Sequence, residues 1–139
     1  MVDLVGGTPK PVTPEGVHAA LPSPDGKHLV GGASFNHHLT VFSLEGESPI
    51  QVPMDDGYSI AQWSEDSKAL FVYRVGDVPL KISRCQVASG KMTPIRDLIP
   101  ADPAGVVSIA PVVTNLQGSA FAYSYYQTLS VLYVISGLK

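Results

Sequence analysis

The sequence predicts an all-β chain assembled from repeated four-stranded antiparallel meanders. Three observations carry this. Twelve Pro and thirteen Gly are spread over 139 residues, which punctuates the chain too often for long helices. Apolar residues come in short runs bounded by turn formers, the pattern of strands. A distinctive corner, Ser23-Pro24-Asp25-Gly26, returns twice more in altered form.

The corner explains itself chemically. Ser, Pro, Asp and Gly fit the four positions of a type I turn: a polar first residue, Pro with φ already set, Asp, then Gly. The segment LPSPDGKHLV (Leu21 to Val30) matches QWSEDSKALFVY (Gln62 to Tyr73), and VVTNLQGSAFAYSY (Val112 to Tyr125) is a weaker copy. The corners begin at Ser23, Ser64 and Asn115, 41 and then 51 residues apart, and the longer interval holds the insert LIPADPAG (Leu98 to Gly105).

Each corner leads into the same succession. An apolar strand comes first, at His28–Ala33, Ala69–Val75 and Ala120–Tyr126. An alternating strand follows at Leu39–Leu44, Lys81–Val87 and Leu129–Ile135, then a turn at Glu45-Gly46, Ser89-Gly90 or Ser136-Gly137. The first two copies add a fourth strand near Pro49–Val52 and Met92–Ile95. Upstream, Val2-Asp3-Leu4 reads as the end of a third strand, Gly6-Gly7 as its turn and Lys10–Thr13 as a fourth strand. A four-stranded antiparallel meander with a period of about 40 to 50 residues is one blade of a β-propeller. The expected fold is therefore a partial β-propeller of about three blades. Residues 1–15 end one blade, 16–57 and 58–97 are full blades, and 98–139 lack a fourth strand.

These residues resemble the WD-like repeats of TolB-type β-propellers, whose signature is a Ser-Pro-Asp-Gly corner, a basic residue and an apolar strand. Ser23-Pro24-Asp25-Gly26-Lys27 keeps it whole, and Trp63-Ser64-Glu65-Asp66-Ser67-Lys68 keeps most of it, with Ser67 in place of Gly. Asn115-Leu116-Gln117-Gly118 retains only the Gly. The C-terminal third is similar to the C-terminal propellers of bacterial eukaryotic-like serine/threonine protein kinases, through Asp102-Pro103-Ala104-Gly105-Val106, Ala122-Tyr123-Ser124-Tyr125, Leu129-Ser130, Leu132-Tyr133 and Gly137-Leu138-Lys139. Val131 departs from the Ser-Asp-Leu-Tyr expected there. The kinase itself is missing: there is no Gly-rich phosphate loop, His-Arg-Asp catalytic loop or Asp-Phe-Gly.

Composition narrows the function classes. With 45% hydrophobic and 15% charged residues the chain is globular rather than disordered. A net charge of −3 without any basic run argues against nucleic acid, whose phosphates demand Lys and Arg. No run of eighteen apolar residues is present, so no membrane insertion is expected, and no signal peptide is evident. The single Cys85 cannot form an internal disulfide. The compartment stays open: the cytoplasm for the chain alone, or outside the membrane as the tail of an anchored kinase.

No candidate for chemistry is complete. His37-His38 could contribute to a metal site, but such sites need three or four converging ligands, and a solvated hairpin tip is the plainer reading. Asp55-Asp56-Gly57 and Asp102 lack the spaced oxygen ligands of a calcium loop and read as turn formers. Ser89-Gly90-Lys91 has Cys85 where a phosphate loop needs Gly. Gly32-Ala33-Ser34-Phe35-Asn36 lacks the closing Gly of a nucleophile elbow. Cys85 falls in an alternating strand, which suits inert packing. Phe121, Tyr123 and Tyr125 share one strand face, and Trp63 sits beside a corner; all four are read as packing residues. No catalytic residue, metal or cofactor is assigned.

The expected role is a non-catalytic module binding an unknown protein or small ligand, sensory or scaffolding in the kinases it resembles. Its surface would lie on rim loops, with Asn36, His37, His38, Asp55, Asp56 and Tyr58 as candidates. Ser23, Pro24, Asp25, Gly26, Trp63, Ser64, Asp66 and Gly118 are expected to be structural. Two alternatives stand: the propeller of a prolyl-oligopeptidase-like peptidase, and a purely structural self-assembling module. Three blades leave open ends, so a homodimer closing one six-bladed ring is expected, Lys10–Thr13 of each chain completing the partner's last blade.

Overall fold

The computed structural model describes residues 8, 11–33, 38–134 and 136–137. Among these the chain is all-β, with ten strands and no helix. Strands β1 (Val17–Pro22), β2 (His28–Ala33), β3 (Leu39–Ser43) and β4 (Ile50–Gln51) form one antiparallel sheet in sequential order. Strands β5 (Tyr58–Trp63), β6 (Ala69–Arg74), β7 (Leu80–Gln86) and β8 (Met92–Leu98) form a second with the same order. A two-stranded sheet, β9 (Val106–Thr114) with β10 (Phe121–Gln127), follows. Every pairing is antiparallel, and the sheets do not close on one another among the described residues.

The second sheet lies between the other two, and β6 shows why. Its run Ala-Leu-Phe-Val-Tyr is apolar without alternation, as a strand covered on both faces requires. Leu70 and Val72 enter one core cluster with Val30, Leu39, Val41 and Trp63, which joins the first sheet to the second. Phe71 and Tyr73 point the other way, into a cluster with Leu80, Ile82, Ile109 and Val112 that joins the second sheet to the third. Each fully buried side chain of this kind contributes about 1.5–3 kcal/mol, so face-to-face stacking holds the chain together.

Each sheet's first two strands turn through a corner. Gly26 N–H donates to Ser23 C=O at 3.0 Å, Ser67 N–H to Ser64 C=O at 2.9 Å, and Gly118 N–H to Asn115 C=O at 3.0 Å. The third residue after each acceptor has positive φ: +71° at Gly26, +56° at Ser67 and +66° at Gly118. Ser67 bears a cost of roughly 1 kcal/mol there that glycine avoids. Its hydroxyl gives something in return, accepting the N–H of Asp25 at 3.2 Å and so tying the second corner to the first.

Two expected strands differ. Pro11, Val12 and Thr13 form no strand, while Lys10 and Val2–Leu4 lie outside the described residues. Pro11 and Pro14 each lack the N–H a ladder needs, so residues 11–13 build no ladder within their own chain. Residues 129–134 also form no strand, and Ile135 lies outside the described set. The third sheet thus holds two strands where three were expected. Here β10 continues to Gln127 along β9, leaving only Thr128 before Leu129, whereas five residues (34–38 and 75–79) connect the corresponding strands of the first two sheets. A one-residue connection cannot reverse a strand.

Candidate functional site

The first strand of each sheet carries a bulge at a corresponding place, upstream of the corner. Register slips between His18 and Leu21 in β1, between Ile60 and Gln62 in β5, and between Ile109 and Val112 in β9. A bulge bends its strand and re-aims the side chains beyond it. At β5, Ala61 turns to the second core cluster while Trp63 faces the first, although alternation alone would put both on one side. Gly31 lies opposite the bulge of β1, where an added Cβ would come within 2.7 Å of Val17 Cγ1.

The three bulged strands converge on one cleft of about 560 Å³. His18 and Leu21 of β1, Tyr58 and Ile60 of β5, and Pro111 and Val113 of β9 are among its lining residues. Its walls are mostly apolar, and Tyr58, Ser59 and Tyr73 are also among the residues that line it.

Of the sequence candidates, Tyr58 lines this cleft, and His38 and Asp56 lie close to lining residues in the chain. His38 directly precedes the lining residue Leu39, and its Nδ1 stands 2.9 Å from Asp56 Oδ1. The approach lacks hydrogen-bond alignment and becomes an ion pair when the imidazole is protonated. Two residues beyond Asp56, the Tyr58 ring lies beneath the Arg74 guanidinium, 6.0 Å from it. Asp55 is exposed beside them, and Asn36 and His37 lie outside the described residues. Arg74 carried no sequence signal of its own; its role comes from its pairing with Tyr58 across β5 and β6.

The corner residues form a separate, repeated device. Ser23 N–H donates to His28 C=O at 2.9 Å, and Ser64 N–H to Ala69 C=O at 2.8 Å. Each serine oxygen accepts the N–H five residues on, at 3.0 Å, and contacts the carboxylate two residues on, Asp25 or Asp66. Asp25 and Asp66 in turn accept the N–H of Lys27 and Lys68, at 3.0 and 3.1 Å. The hydroxyl and amide donors hold both carboxyls below their ordinary range: Ser23 then Lys27 for Asp25, Ser64 then Lys68 for Asp66, with Arg84 adding to the latter. Pro24 leads the first turn from an exposed position. At the third corner Asn115 takes over both roles, its side-chain oxygen accepting the N–H of Ser119 and of Ala120.

Trp63 and Gly118 lock neighbouring sheets together. The buried Trp63 donates its indole N–H to Leu21 C=O in the first sheet, and Gly118 packs so closely on Phe71 of the second that a Cβ would collide with the ring. Glu65 N–H donates to Leu116 C=O at 3.0 Å, joining the second corner to the third. Beside that junction a second cleft, about 470 Å³, is lined by Asp66, Arg84, Leu116 and Gln117, with Arg84 Nη2 at 3.0 and 3.2 Å from the two Asp66 oxygens.

Among the described residues no three His, Cys, Asp or Glu side chains converge as metal ligands would. Cys85 is fully buried between the first two sheets, and burial pushes its thiol pKa up, away from nucleophilic use. The arrangement is suited to holding an apolar group in the main cleft, where Tyr58, itself covered by the Arg74 guanidinium, is a lining residue. Comparison of the chain with protein-family models, curated protein sequences and solved structures returned no match.

Proposed function

We propose that the chain is a run of β-propeller blades of the WD-like TolB type, acting as a non-catalytic interaction module like those appended to bacterial eukaryotic-like serine/threonine kinases. The observation that carries this reading is the convergence of β1, β5 and β9 on one cleft, each bulged and each followed by an equivalent corner. In a propeller the first strands of successive blades surround the axis, and ligands meet the loops at its rim. The cleft and the His38, Asp56, Tyr58 and Arg74 group occupy those places in this reading.

The partner class that fits is a peptide with an apolar anchor residue for the cleft. Selection of a displayed random peptide library against the full chain tests it. Enriched peptides should lose at least tenfold in affinity with Ile60→Lys in the cleft, and stay within twofold with Lys91→Ala on the far turn. Failure to enrich, or binding indifferent to Ile60→Lys, overturns the interaction reading. The kinase relation is tested separately by the flanking coding sequence: an upstream kinase domain supports it, and a downstream hydrolase domain replaces it.

A further inference from the structure

The edges of the three sheets are finished differently. The outer strand of the first sheet, β4, is only two residues long and is flanked by Pro49 and Pro53. The outer strand of the second, β8, carries Pro94, Arg96 and Asp97. Short strands, prolines and charges are what keep an exposed edge from pairing with another chain. Strand β10 is the outer strand of the third sheet and has none of these: its seven residues are Phe-Ala-Tyr-Ser-Tyr-Tyr-Gln. It has the composition of an interior strand, as its counterpart β6 is, with no neighbour on one side among the described residues.

A segment suited to be that neighbour stands exposed in the same molecule. Leu129, Val131, Leu132, Tyr133 and Val134 are between 74% and 88% exposed. As a strand they would be apolar on both faces, Leu129, Val131 and Tyr133 on one and Leu132 and Val134 on the other, which matches a strand covered on both sides. No charged residue occurs between Asp102 and Lys139, so nothing in this region opposes burial. The chain's own β10 is out of reach, because Thr128 is the whole connection and its N–H is held by Gly105 C=O at 2.8 Å.

We propose that a second copy of this chain covers the β10 edge with its residues 129–134, the exchange being reciprocal about a two-fold axis. Each copy supplies both a strand and an edge, which is what an isologous dimer requires. This differs from donation of Lys10–Thr13, and it depends only on β10 and the tail, not on the propeller reading.

Light scattering of the full chain at about 100 μM, with hydrogen exchange on the same sample, tests it. Expected are a mass twice 14.7 kDa and slowed exchange at residues 129–134. The double variant Val131→Lys with Tyr133→Lys lies outside both core clusters. It should keep the far-ultraviolet spectrum, weaken dimerisation at least a hundredfold and lose the tail protection. A monomeric wild type overturns the proposal, as does a dimer indifferent to the double variant, or a protected tail in a monomer. None of these outcomes bears on the peptide selection at the cleft.

Discussion

The indole N–H of Trp63 donates to the carbonyl oxygen of Leu21 at 2.9 Å, crossing from the second sheet to the first. The two residues are 42 positions apart, about one repeat, so a side chain beside one corner satisfies the backbone just before the preceding one. Trp63 also fills the core between these sheets, at 1% exposure.

Trp63→Phe keeps most of the apolar volume and removes the donor. A part-buried carbonyl left without its partner costs about 1–3 kcal/mol, and urea unfolding should show a loss in that range. Trp63→Ala adds the cavity, for about 3–5 kcal/mol in all. If Trp63→Phe leaves the midpoint unchanged, the hydrogen bond contributes nothing to holding the sheets together.

Gly26 and Gly118 occupy the same corner position with φ of +71° and +66°, yet their surroundings differ. An added Cβ meets open space at Gly26, so Gly26→Ala should cost only the backbone term, about 1 kcal/mol. At Gly118 it would strike Phe71, which is itself packed in the core between the second and third sheets. Gly118→Ala should therefore cost clearly more than Gly26→Ala in parallel thermal melts, by about 1–3 kcal/mol for the overpacking. Equal losses would mean that the third corner does not seat against Phe71.

Asp25 and Asp66 are held below their ordinary carboxylate value by hydroxyl and amide donors of their own corners. With the folded pKa depressed, their stabilising contribution is complete above the unfolded value and is lost as pH falls through the lower folded one. The urea midpoint should therefore decline as pH drops below about 4. The Asp25→Asn, Asp66→Asn double variant should start lower at neutral pH and decline less steeply. Parallel profiles for variant and wild type would place the acid sensitivity elsewhere.

Cys85 is fully buried, and burial raises its thiol pKa. A thiol-specific chromogenic reagent at pH 8 should label the folded chain no faster than the chain opens, and label it at once in denaturing urea. Immediate labelling without denaturant would show that the first and second sheets separate readily in solution.

What the sequence alone determined is local. Ser-X-Asp followed by Gly or Ser closes through hydrogen bonds within five residues, so the corners at Ser23 and Ser64 were legible directly. So were the strands bounded by them, His28–Ala33 without change and Leu39–Leu44, Ala69–Val75 and Lys81–Val87 to within a residue at either end. The structural part of Trp63 and Gly118 could be anticipated from the repeat; their partners, Leu21 and Phe71, could not.

Only the tertiary structure decided features that depend on residues far apart in the chain. The bulges of β1, β5 and β9 leave no firmer mark in the sequence than Ala61 and Ala110 ahead of the later corners. The meeting of His38 with Asp56, and of Tyr58 with Arg74, follows from how the first two sheets stack and pair. The fate of residues 129–134 was decided by β10, which spends its connection pairing with the start of β9. Turns close on their own neighbours and can be read from them. A strand needs a ladder supplied from elsewhere, and whether one is available is a property of the fold.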